Sequence, residues 1–209
     1  MSTLIAVMTG SPQPTTAKAG MTGHFKKPVE SAEITAEGLV GDSIMDREHH
    51  GGVDQAVYLF GEPDQAWWAE ELDREVGPGY FGENLLISDM ESSQVCVGDQ
   101  YQIGDVLLEI TSPRIPCATY AAHIGSGQAI KQFYAAQRPG AYGRVLQTGT
   151  VAPGMSVTHT PYTGIRIPVV EMMDQYLRRY DDEVFLKRIL HTPAHHKMHH
   201  NARERLGKT

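Results

Sequence analysis

Between Leu4 and His159 the apolar residues come in short runs, and glycine-bearing turns break almost every one. Leu4-Ile-Ala-Val-Met8, Ser31-Ala-Glu-Ile-Thr35, Gln55-Ala-Val-Tyr-Leu-Phe60, Leu85-Leu-Ile87, Gln100-Tyr-Gln-Ile103, Val106-Leu-Leu-Glu-Ile-Thr111, Tyr142 to Leu146 and Ser156 to His159 read as strands. Runs of this length, rich in β-branched and aromatic residues and bounded by turn residues, are a strand signature. Many such strands in succession predict a mainly β fold, a barrel or sandwich, with a few peripheral helices. Pro63 suits the first turn of a helix over Asp64 to Val76, with Trp67, Trp68 and Leu72 on its apolar face and Gly77-Pro-Gly79 as its stop. Ser126 can cap a second, with Ile130, Phe133 and Tyr134 on one face and its end near Pro139-Gly140. Cys96 lies between Val95 and Val97 in a strand and reads as structural.

The pattern changes after Thr163-Gly164. Val169 to Tyr180 and Asp182 to His191 look helical, and Thr192-Pro193 is an N-cap and first-turn pair. Ala194, Met198, Ala202 and Leu206 recur every four residues and make one apolar stripe. Residues 1–165 are therefore read as a β domain and 166–209 as a three-helix unit. His195 and His199, like His196 and His200, are spaced to chelate a metal from one helix face. No cysteine or carboxylate stands within that cluster, and Lys197 lies between the pairs, so it reads as a solvated polar face.

The net charge of −7, without a block of like charge, argues against nucleic acid as the partner. No stretch approaches the roughly 20 apolar residues that span a bilayer. With two cysteines and no secretory pattern in Met1 to Gly10, the expectation is a cytoplasmic protein with reduced thiols.

The chemistry-bearing stretch is Thr111-Ser-Pro-Arg-Ile-Pro-Cys117. Two prolines stiffen it, and it cannot continue as a central ladder strand. It presents a thiol near a guanidinium, and a nearby cation favours the thiolate, a nucleophile or a soft metal ligand. The alternative is a small buried hydrophobe. His49-His-Gly-Gly-Val-Asp54 joins imidazole and carboxylate to two glycines that let a backbone approach a ligand. Phe81-Gly-Glu-Asn84 adds a carboxylate and an amide. Lys26, Lys27, Arg114 and Arg144 could neutralise an anion if the fold brings them together.

Gly38-Leu-Val-Gly-Asp42, His50-Gly-Gly-Val-Asp54, Phe81-Gly-Glu-Asn84, Val97-Gly-Asp99, Pro113-Arg-Ile-Pro-Cys117 and Gly143-Arg-Val-Leu146 stand in the order of the successive motifs of MOSC domains, named after the C-terminal domain of molybdenum cofactor sulfurase. The chain resembles that family. Phe25-Lys-Lys-Pro-Val29 and the helical tail are similar to its YiiM-like subgroup. Gln55 departs from the pattern, standing where relatives often carry lysine.

The resemblance implies a MOSC-type β-barrel and a molybdenum–pterin cofactor whose metal is ligated by Cys117. Arg114 would stabilise the thiolate or a cofactor anion. Lys27, Arg144 and Lys26, in that order, are candidates for the pterin phosphate, with Asn84, Gly51 and Gly52 as further cofactor contacts. His50, Asp54 and Glu83 would serve catalysis beside Cys117. Trp67, Trp68, Tyr80, Phe81 and Tyr120 are candidates for a stacking surface. The implied activity is reduction of N-hydroxylated compounds such as 6-hydroxylaminopurine, with electrons from a separate reductase. The rival readings are a non-catalytic carrier of the cofactor or its sulfur, and a cysteine hydrolase using Cys117 and His50. The tail would serve a homodimer or donor docking.

Overall fold

The strand-and-turn pattern closes on itself. In a computed structural model describing residues 1–45, 51–178 and 182–207, seven strands form a closed barrel. The strands used below are β1 (Ser2–Gly10), β2 (Lys26–Val29), β3 (Val57–Gly61), β4 (Leu85–Ile87), β5 (Gln100–Ile103), β6 (Val106–Pro113), β7 (Ala141–Gln147) and β8 (Ser156–Thr160). Around the barrel the order is β1, β4, β3, β7, β6, β5, β8 and back to β1. The first half of β1 pairs with β8, which closes the ring, and its second half carries β2 as an extra strand. All of these pairs are antiparallel except β3 with β4, where Leu59 stands opposite Leu85. A parallel pair needs a crossover, and helix α1 (Glu62–Glu71) lies in it.

Leu4, Val7, Val57, Leu59, Leu85, Ile103, Val106, Leu108 and Ile110 fill the interior and are all buried. Truncating one of them, as in Leu108→Ala, costs about 2–5 kcal/mol through lost transfer energy and a cavity. A second, aromatic core lies outside the barrel wall, where Tyr58, Phe60, Trp68, Phe81, Tyr120 and Phe133 pack together. Helices α1, α2 (Ala118–Ile124) and α3 (Ala129–Ala136) cover it.

Several boundaries differ from expectation. Helix α1 runs over Glu62–Glu71 rather than Asp64 to Val76. Leu72 caps it, and Asp73 has φ of 48°, a left-handed geometry that ends the helix five residues early. Helix α2, directly after Cys117, was not foreseen. Cys96 forms only an isolated bridge with Pro168, although it is buried as expected.

The tail holds three helices, α4 (Val169–Arg178), α5 (Glu183–Leu190) and α6 (His196–Leu206). Ile167, Val169, Met172, Phe185, Leu186, Ile189, Ala194 and Ala202 join the same apolar core as the barrel interior. Asp99, from the Val97-Gly-Asp99 motif, braces the junction. Its buried carboxylate accepts from the backbone of Cys96 (3.0 Å) and Tyr162 (2.8 Å) and from Arg166 (3.1 Å), and His159 Nε2 lies 3.1 Å away. Against its own burial, these partners hold the Asp99 carboxyl below the usual range. No helix among the described residues is long and apolar enough to cross a membrane.

Candidate functional site

A bulge sets the position of the thiol. Ile110 faces Gly143 and Ser112 faces Tyr142 in the β6–β7 ladder, so Thr111 is an extra residue on β6. Its Oγ1 lies within hydrogen-bond distance of the Asp54 and Tyr142 carbonyl oxygens. The Thr111 carbonyl accepts from the His195 backbone nitrogen at 3.0 Å. Beyond the bulge, Pro113 ends the strand, and Cys117, extended with φ of −123°, is the N-cap residue of α2. Cys117 is half-buried at this corner and is in no disulfide.

A cavity of about 130 Å³ opens beside it. Its lining includes Lys26, Asp42, Gly51, Gln55, Tyr58, Asn84, Arg114, Cys117 and Tyr142. Arg114 is 5% exposed and donates to the Phe81 carbonyl. Its guanidinium lies 5.2 Å from the Tyr58 ring centroid and 5.4 Å from that of Tyr120. Burial works against the Arg114 charge, but Tyr58, Tyr142 and Cys117 outweigh it and the guanidinium stays protonated. On the floor, Lys26 Nζ pairs with Asp42, whose Oδ2 also accepts from Asn84 Nδ2 at 2.9 Å. Burial pulls the Lys26 ammonium below its ordinary value despite the Asp42 carboxylate beside it.

Asn84 acts here as a backbone clamp. Its Oδ1 accepts from Tyr58 N (3.1 Å) and its Nδ2 reaches the Met8 carbonyl (3.3 Å). The turn before it depends on Gly82, with φ of 75°, where a Cβ would stand 2.5 Å from His24 Nδ1. That close approach lets the 22–24 loop wall the cavity.

Other expected site residues go elsewhere. Lys27, the first candidate of the two, is exposed on β2 and outside the cavity lining, whereas Lys26 lines the cavity. Glu83 is fully buried and accepts from the backbone of Gly79 (2.6 Å) and Phe81 (3.0 Å). Burial pushes its carboxyl up. It holds the turn and does not line the cavity. Gly51 lines the cavity; Gly52 is exposed beside it. His49 and His50 lie outside the described residues. Trp68, Phe81 and Tyr120 are core residues stacked on one another and on Phe133, and offer no open face to a base.

Asp54 and Arg144 pair at 3.0 Å, away from the cavity lining. Asp54 accepts from the backbone nitrogen of His196 (2.8 Å), and its ring Nδ1 lies 2.7 Å away. Arg144 donates to the carbonyl oxygens of Pro193 (3.0 Å) and Ala194 (3.3 Å). These two residues dock the start of α6 on the barrel. The tail histidines are therefore not a solvated face throughout. His195 is 3% exposed, and its Nδ1 caps α6 by accepting from Lys197 N at 2.9 Å. Burial pushes the His195 imidazole down to about 4. His199 Nε2 lies 2.9 Å from the Thr192 carbonyl. The capping residue is His195 rather than Thr192, since the helix begins at His196. A carboxylate 142 residues away in the chain could not be read as a partner of these histidines.

A second, larger hollow of about 790 Å³ runs along the other side of the Cys117 corner. Ile115, Pro116 and Cys117 form one wall, and Tyr176, His195, Met198 and Asn201 of the tail form the other. Cys117, Gln55, Thr119 and Tyr142 line both hollows.

The donor set fits the cofactor that the family resemblance implies. A soft sulfur at the cavity wall suits molybdenum, and two buried cations suit its anionic pterin. Cys117 would hold the metal, and Arg114 and Lys26 the negative charge.

Comparison with known proteins agrees with this architecture. Residues 46–158 match the model of the MOSC domain. The Bacillus subtilis protein YflK is 32% identical over 137 residues, covering 65% of this chain and 62% of its own. A Gibberella moniliformis protein named Reductase is 32% identical over 173 residues, covering 73% of this chain and 31% of its own. This chain thus spans less than two thirds of either relative. The crystal structure of YiiM from Geobacillus stearothermophilus superposes with a TM-score of 0.82 at 23% identity, covering 99% of this chain and 100% of that one, and so shares the fold. With residues 46–158, more than half of its length, matched by the family model, the chain belongs to the MOSC domain family.

Proposed function

We propose that this protein is a molybdenum-cofactor-dependent reductase of N-hydroxylated compounds, with Cys117 as the metal ligand. One observation carries the reading: Cys117 lines a cavity that it shares with the buried Arg114 and with Lys26, whose partner there is Asp42. A relative named Reductase supports the oxidoreductase class. When bound, the cofactor supplies two-electron chemistry and accepts an oxygen atom. Reduction of R–NH–OH takes two electrons and two protons, breaks the N–O bond, and gives R–NH₂ and water. Cys117 fixes the direction of the sulfur through its proline-stiffened frame. Arg114 and Lys26 neutralise the cofactor's anionic groups, and Tyr58 and Tyr142 exclude water around Arg114.

The test is turnover. Protein made in cells competent for cofactor synthesis is supplied with a reduced viologen dye and 6-hydroxylaminopurine, and adenine is followed by chromatography. Adenine formation in proportion to bound molybdenum supports the proposal. Loaded protein that forms none contradicts it.

One observation favours a carrier instead. Asp54 is committed to docking α6 and Glu83 to the 79–81 turn, so neither faces the cavity as a proton donor. A carrier needs only Cys117 and the cations. Loaded protein without turnover, which passes its molybdenum to an acceptor apoenzyme, would establish that reading.

A further inference from the structure

Cys117 is shared by two hollows of opposite character. The one holding Arg114 and Lys26 suits an anionic group. The other is walled by Ile115, Tyr176 and Met198, and among the described residues that line it none is acidic. Its lysines, Lys18 and Lys197, are exposed. The polar groups of its tail wall besides Lys197 are uncharged. The Asn201 amide lies on one side, and His195 has its Nδ1 occupied by the Lys197 backbone, which leaves Nε2–H as a donor. Apolar walls with a few neutral hydrogen-bonding groups are how proteins hold a neutral heterocycle.

We infer that this groove binds the planar, uncharged base of the substrate, so that the helical tail, and not the barrel alone, sets which N-hydroxylated compound reaches Cys117. The inference rests on the reading of the protein as such a reductase and assigns the substrate side of that site. Four of its wall residues, Tyr176, His195, Met198 and Asn201, lie beyond the matched family segment, which ends at residue 158. Proteins sharing the barrel but differing in the tail would therefore differ in substrate while keeping the thiol corner. Asn201 and His195 supply the hydrogen bonds that reject analogues lacking matching ring nitrogens.

The test uses adenine, the base left after reduction, as the probe. Its binding is measured by titration calorimetry on protein with and without bound molybdenum, and KM for 6-hydroxylaminopurine on the loaded form. Met198→Lys places a charge in the apolar wall, and Asn201→Ala removes one amide from an exposed position that folding does not depend on. The expected result is adenine binding in both forms, weakened about ten-fold by Met198→Lys and about five-fold by Asn201→Ala. KM should rise in parallel, with kcat and molybdenum content unchanged. Folded variants that bind adenine and turn over as the wild type does would overturn the inference, as would loaded protein that binds no adenine. The two readings fail separately. Adenine binding lost in the variants, with no turnover by loaded wild type, keeps the groove and ends the reductase. Sound turnover with KM unmoved in both variants keeps the reductase and ends the groove.

Discussion

The Asp54 carboxylate meets His196 twice, accepting from its backbone nitrogen at 2.8 Å and lying 2.7 Å from its ring Nδ1. This places a motif residue of the barrel at the start of the last helix. Those hydrogen bonds, with Arg144 beside them, hold the Asp54 carboxyl below the usual range against its own burial.

Asp54→Asn should therefore act on stability rather than on chemistry. A hydrogen bond to a charged group contributes about 1.5–3 kcal/mol, and the midpoint of thermal unfolding should fall accordingly. Molybdenum content should be unchanged. A variant of normal stability and no molybdenum would mean that Asp54 serves the cofactor after all.

The two neighbouring lysines should behave differently. Lys26→Ala leaves Asp42, whose side chain is 5% exposed, as a buried charge without its cation. Breaking such a pair costs about 3–5 kcal/mol. Cofactor retention should fall too, because Lys26 lines the cavity. Lys27 is exposed, and Lys27→Ala should change stability by no more than about 0.5 kcal/mol. Chemical denaturation together with metal analysis of both variants checks this. Cofactor loss from the Lys27 variant alone would reverse the assignment.

Acid should loosen the tail as pH falls from about 6.5 towards 4. Burial pushes His195 down to about 4 from an ordinary 6.5, so the unfolded chain binds a proton that the folded one resists. Stability from the neutral imidazole is whole above about pH 6.5. It falls as pH drops towards 4, where both states are protonated. Glu83 works in the opposite sense: its raised carboxyl gains stability as pH falls through its folded value. Asp54 and Asp99, both lowered, lose theirs at still lower pH. Unfolding temperatures between pH 8 and pH 4 should decline less steeply in His195→Asn, which keeps a capping acceptor. An identical slope in that variant would remove His195 as the cause.

The barrel and the three tail helices were legible because both rest on local periodicity. Alternation and turn residues mark the strands, and the stripe of Ala194, Met198, Ala202 and Leu206 marks α6; Ala194 and Ala202 are indeed buried. Cys117 and Arg114 were legible because two prolines announce a stiff corner. What the sequence hid was partnership across long separations. Asp54 was expected at the cavity and faces His196; the tail histidines were expected in solvent and include a buried cap. Lys26 and Lys27 could not be ranked, because alternation along β2 turns one inward and leaves the other exposed, and the register decides which. The early end of α1 followed from Asp73 adopting a left-handed φ, which propensity does not foresee.

The account turns on the Cys117 sulfur as the ligand of the metal. Cys117→Ala is therefore to be purified beside the wild type from cells that make the cofactor, and molybdenum per chain measured by elemental analysis. The account predicts about one molybdenum per wild-type chain and essentially none in a variant that unfolds at the same temperature. Equal molybdenum in both would contradict it.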